Sequence, residues 1–129
     1  MDWTAFKRLV ADVGFSPVPE KFRGLIENAA LLVEDDVPEE TRRDMGLAKD
    51  ETLLGLYHGI PRTARGESYG IAGTLPDTIT LYRRPILKAA EEDGIPVQRV
   101  VEETIWHEVA HHFGLNEDEV VKREKSKRS

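Results

Sequence analysis

The chain has no cysteine among its 129 residues. That absence excludes disulfide frameworks, thiolate zinc sites, iron–sulfur clusters and cysteine nucleophiles together, so any metal must be held by histidine and carboxylate. No apolar run nears the ~18 residues a spanning helix needs, and the amino terminus is charged from Asp2 onward, with no export-signal pattern. These absences predict a cytoplasmic protein that does not enter membranes. Aromatics are scarce at 7%, yet 40% hydrophobic and 33% charged residues describe neither a disordered nor a membrane chain. At this length one core can bury roughly 65–70% of the surface that the unfolded chain exposes.

Charge is unevenly spread. The formal net charge is −6, but residues 122–129 carry +4 and residues 1–121 carry −10. An acidic body repels phosphate backbones, so no specific nucleic-acid partner is expected. The expected organisation is one domain over 1–121 and a basic, frayed tail over 122–129. Oligomeric state is not legible.

Thr4 is placed to cap a first helix running to about Val13, with Phe6, Leu9, Val10 and Val13 on its apolar face and Gly14 at its end. Packing of this helix on a sheet is expected. Pro19 opens a second helix to about Asn28, striped by Phe22, Leu25 and Ile26. Ala29–Glu34 reads as a strand. Glu39–Glu51 reads as a linker with at most a helical turn. Leu53–Pro61 and Thr78–Tyr82 read as further strands, the second with clean β-branched alternation. Between them Arg62–Asp77 is a glycine-rich stretch of the length that forms lids or binding loops, with disorder an equal reading. Arg84 to about Gly94 reads as a short helix.

The final helix starts at Pro96. Val97, Val100, Val101, Thr104, Ile105 and Glu108 share one side of its wheel, the side predicted to face the core. Gly114 is expected as its left-handed cap, and Asn116 with Glu119 suggests a capping box for one more helix. Within the helix stands His107-Glu108-Val109-Ala110-His111, an HExxH pattern. Four-residue spacing puts both imidazoles on one face, where their nitrogens can share a tetrahedral ion at about 2.0–2.1 Å. Glu108 lies between them on the wheel, placed to take a proton from water as a general base rather than to ligate. With four histidines in the chain, chance produces this pattern about once in a hundred such sequences.

A catalytic zinc takes three protein ligands and a water, so a third is needed. The turn at Gly114 can bring Glu117 back toward the ion, with Asp118 as its competitor. His112 points about 100° away from His111, which suits packing or a supporting hydrogen bond. His58, on a predicted strand, is a weaker ligand candidate. Tyr82 is the candidate donor to an oxyanion, with Tyr57, Tyr69 and Arg83 behind it.

The segment His107-Glu108-Val109-Ala110-His111-His112-Phe113-Gly114-Leu115, followed by an acid, resembles HExxHxxGxxD, the motif of a family of small bacterial zincin-like proteins, minimal in size and metallopeptidase-like. Leu54–Gly59 and Pro76–Pro85 are similar to that family's strand segments, so the resemblance spans most of 20–120. It implies an α+β minimal zincin-like fold, a short mixed sheet packed against the motif helix with helices N-terminal to it. It also implies zinc as cofactor, His107, His111 and the acid at 117 as metal ligands, and Glu108 as catalytic base. The family pattern has aspartate where this chain has Glu117. The larger metzincin group adds a methionine turn after the motif, but Met1 and Met45 are the only methionines here. The leading expectation is a zinc-dependent hydrolase cleaving a peptide or protein substrate. The alternatives are a non-catalytic metal-binding or protein-interaction module, and a zinc-dependent RNA hydrolase in which Glu117 replaces the third histidine.

Overall fold

Asp2, rather than Thr4, caps the first helix: its Oδ1 accepts a hydrogen bond from the Ala5 N–H at 2.8 Å. This comes from a computed structural model that describes residues 1–59 and 75–115. The tail beyond 121, the capping box at Asn116, Glu117, Asp118, Tyr69 and most of the Arg62–Asp77 stretch lie outside the described residues.

Helix α1 spans Trp3–Val13 and buries Phe6, Val10 and Val13, the face read from the sequence. It packs on the last helix and on the first strand. The segment Glu20–Ile26 is a 3₁₀ helix, not the predicted α-helix. Gly24 in its middle weakens α-helical propensity, and only Ile26 of the stripe is buried. Strand β1 spans Ala29–Glu34, and α2 is a short helix at Glu39–Asp44. The Arg42 guanidinium then donates to the carbonyls of Ala48 at 2.6 Å and Glu51 at 2.7 Å, folding the approach to the next strand.

Strand β2 is Gly55–His58, shorter at both ends than the predicted Leu53–Pro61. Strand β3 is Asp77–Tyr82. Helix α3, Arg83–Asp93, follows it directly and stops at the left-handed Gly94. The sheet order is β1-β3-β2, with β1 parallel and β2 antiparallel to β3. The architecture is thus a small α+β fold around a mixed three-stranded sheet. At the β1–α3 corner, Asp35 receives Nε–H bonds from both Arg83 and Arg84 at 2.7 Å.

Helix α4, Val97–His112, runs through the centre. It packs on α1, α3, β2 and β3 at once. The sequence stripe therefore understates its burial: Glu103, Trp106, Val109 and Ala110, off that stripe, are buried as well. Trp106 is 1% exposed and stacks on Phe22 with ring centroids 5.7 Å apart. Phe113 and then Gly114, at φ +64°, end the helix as expected. Side chains alternate across a strand. Gly55, Tyr57, Asp77, Ile79 and Leu81 are accordingly buried, while Leu56, Thr78 and Thr80 of the same strands stay half-buried and His58 is exposed. No helix among the described residues is long and apolar enough to cross a membrane.

Candidate metal centre

The site is built where α4 passes beneath β2. Because the Leu54 carbonyl accepts from the Tyr82 N–H at 2.9 Å, antiparallel alternation directs the backbone groups of Leu56 and His58 toward β3 and those of Gly55 and Tyr57 outward. Among the described residues no strand flanks that outward edge. Glu108 reaches it from the helix, its Oε1 accepting the Tyr57 N–H at 3.1 Å.

Two neighbouring contacts explain how the carboxylate spans the gap. A Cβ on Gly55 would lie 2.8 Å from Thr104 Cγ2, and one on Gly59 would lie 2.7 Å from His112 Cε1. Thr104, Glu108 and His112 therefore meet Gly55, Tyr57 and Gly59 as three successive rungs. Four helical residues rise about 6 Å and two strand residues about 6.6 Å, so the two periods stay matched over this length. Glycine at both outer rungs lets the strand lie close to the helix. The sequence contained this signal: glycine inside a strand pattern marks a close backbone approach, and Gly55 and Gly59 bracket Tyr57.

Burial raises the Glu108 pKa above the ordinary carboxylate value, while the Tyr57 N–H and the charges of His107 and His111 pull it back. On the adjacent side of α4 the His107 and His111 rings stack with centroids 4.3 Å apart and planes 26° from parallel. His107 is half-buried and His111 exposed, so the pair opens to solvent on one side. Two imidazoles with a nearby carboxylate form a nitrogen–oxygen donor set of the kind that suits zinc. Among the described residues no group of three or more His, Asp or Glu side chains converges as a complete metal site. The two imidazoles fit as part of such a site, and both acids weighed as its third ligand, Glu117 and Asp118, lie outside the described residues.

The other sequence candidates are placed as follows. His112 stacks on Tyr57, centroids 3.9 Å apart and 14° from parallel, turned from the His107–His111 side. His112 is exposed overall, and its partial desolvation lowers its pKa. His58 is exposed on the far face of β2, across the strand from α4. Tyr57 is buried, and its O–H donates to Asp77 Oδ2 at 2.7 Å. Tyr82 is 2% exposed. Its pKa is raised first by burial and then by the charges of Glu34 and Glu108. Arg83 is committed to Asp35 and to the Met1 carbonyl. Sequence reasoning did not single out the Tyr57 backbone amide, Gly55, Gly59 or Asp77.

Comparison with known proteins shows the family. The sequence model of a family described as zincin-like metallopeptidase matches residues 26–126. No curated protein matches the chain.

Proposed function

The chain belongs to the zincin-like metallopeptidase family, and from that premise we propose that it is a zinc-dependent peptidase with Glu108 as its general base. His107 and His111 are two of the proposed ligands and Glu117 the third, with Asp118 as the alternative. The observation that carries this reading is the Glu108 carboxylate, held at the open edge of β2 beside the imidazole pair.

Zinc, when bound, supplies a Lewis acid and lowers the pKa of water toward ~7. The rest falls to the protein. The Tyr57 N–H fixes one oxygen of Glu108 and leaves the other to accept a proton from the attacking water and return it to the leaving amine. An extended peptide pairs with the outward backbone groups of β2 that Glu108 leaves open, those of Gly55 and the Tyr57 carbonyl, which gives affinity with little side-chain selectivity. Tyr82 is the proposed donor to the oxyanion, a role that requires its phenol, 2% exposed, to be uncovered when substrate binds. The proposed substrate is a peptide or protein, and the proposed compartment is the cytoplasm.

The test is hydrolysis of a mixed peptide library by zinc-loaded wild type and Glu108→Gln. The amide retains an oxygen for the Tyr57 N–H but cannot take a proton, so the rate is expected to fall by about 10²–10⁴-fold with the fold and zinc retained. An unchanged rate rules Glu108 out as the base. Absence of peptide cleavage by both proteins, each holding zinc, favours the non-catalytic metal-binding module.

A further inference from the structure

The Tyr57–Glu108 hydrogen bond joins two elements that nothing in the chemistry of a carboxylate keeps at the right height. A helix and an edge strand can slide or separate by an ångström without losing their apolar contact, yet at 3.1 Å that displacement ends the bond. Something must fix the spacing. At the outer end of the rung series stands the imidazole of His112, one turn beyond Glu108 on the same side of α4, open to solvent on its outer side and in contact with the strand on its inner one. It lies flat on the Tyr57 ring at 3.9 Å and directly against Gly59, where a Cβ would fall 2.7 Å from its Cε1 and 2.9 Å from its Nε2. Phe113 closes the cluster edge-on, 4.8 Å from the imidazole and 5.6 Å from the Tyr57 ring. The Tyr57 ring is tethered at its far end by the O–H bond to Asp77, so it gives His112 a fixed surface.

We infer that His112 is a positioning residue: seated between the Tyr57 ring and Gly59, it holds β2 over α4 at the height where the Tyr57 amide meets the Glu108 carboxylate. This rests on the reading of Glu108 as the base. It assigns His112 neither to the metal nor to the substrate. Gly59 is the other half of the device. Gly59 is not among the glycines with positive φ, so what it supplies is space for the imidazole.

The test is amide hydrogen exchange in the full-length, zinc-loaded protein, comparing the Tyr57 N–H with the N–H groups of the β1–β3 ladder. His112→Ala and Gly59→Ala are each expected to speed exchange at Tyr57 about tenfold or more, leaving the ladder within about twofold. In a His112→Ala background the Gly59→Ala change is expected to add almost nothing, because the atoms it collides with are gone. Equal acceleration across the ladder would make His112 an ordinary packing residue and overturn the inference. So would unchanged exchange at Tyr57, or additive effects in the double variant. Zinc content and Glu108→Gln activity are measured separately, so failure of the catalytic reading leaves the exchange result distinguishable.

Discussion

Replacing Gly55 with alanine probes the closest approach between the strand and the motif helix. The added methyl would lie 2.8 Å from Thr104 Cγ2, 3.0 Å from the Thr80 carbonyl oxygen and 3.2 Å from Leu81 Cδ2. The first of these belongs to α4, so relieving it lifts β2 away from the helix, while the second is backbone of the central strand and yields little. Overpacking of this kind costs about 1–3 kcal/mol. Lifting the strand also stretches the Tyr57–Glu108 bond, and a hydrogen bond to a charged group contributes about 1.5–3 kcal/mol. The expected loss for Gly55→Ala is about 3 kcal/mol, read by urea denaturation, with a melting temperature lower by about 9–15 °C for a chain of this size. Thr104→Ser removes the colliding methyl while keeping the hydroxyl that donates to the Val100 carbonyl at 2.7 Å. In that background the Gly55→Ala penalty is expected to fall to about 1–2 kcal/mol, because the carbonyl contact remains. A loss below about 0.5 kcal/mol, or the same penalty in both backgrounds, would refute the close-packed rungs.

Asp35 has its pKa lowered chiefly by the hydrogen bond from Arg83 and further by the charge of Arg84, with burial opposing. A depressed folded pKa adds stability above the unfolded value near ~3.9 and loses it as pH falls through the folded value. Asp35→Asn should therefore lower the melting temperature at pH 7, with its deficit narrowing as pH drops below about 4; a deficit that does not change with pH contradicts the ion pairing. Trp106 Nε1 is buried without a hydrogen-bond partner, so Trp106→Phe gives up packing but also removes an unsatisfied donor. Its cost by calorimetry should stay below about 2 kcal/mol, and a cost of about 4 kcal/mol or more would show that the indole N–H has a partner left unpaired by the change.

The parts legible in the sequence are those set by local chemistry. The motif helix shows its end in Gly114, α3 in Gly94, and β3 in the alternation from Thr78 to Tyr82. The less legible parts depend on what else is nearby. Glu20–Ile26 has an apolar spacing that suits an α-helix, but Gly24 weakens that preference and the tighter 3₁₀ form is found. The wheel of α4 indicated one core face, whereas α1 and α3 cover further sides of the same helix. Asp2 and Thr4 were both competent caps by residue type, and only the backbone geometry decides between them. At the site, the HExxH spacing indicated which residues share a face. It could not indicate that Glu108 turns to a strand amide, because that contact crosses 51 positions of chain.

In the proposed centre His107 and His111 hold zinc together with a carboxylate from the segment after Gly114. Zinc content after equilibrium dialysis, measured together for wild type, His107→Ala, His111→Ala, Glu117→Ala, Asp118→Ala and Glu108→Gln, tests it most directly. Near-stoichiometric zinc is expected in wild type, Glu108→Gln and Asp118→Ala, and its loss in both histidine variants and in Glu117→Ala. Zinc kept by Glu117→Ala and lost by Asp118→Ala would transfer the third ligand to Asp118. Zinc retained by either histidine variant at the wild-type level, or never bound by the wild type, would contradict the claim.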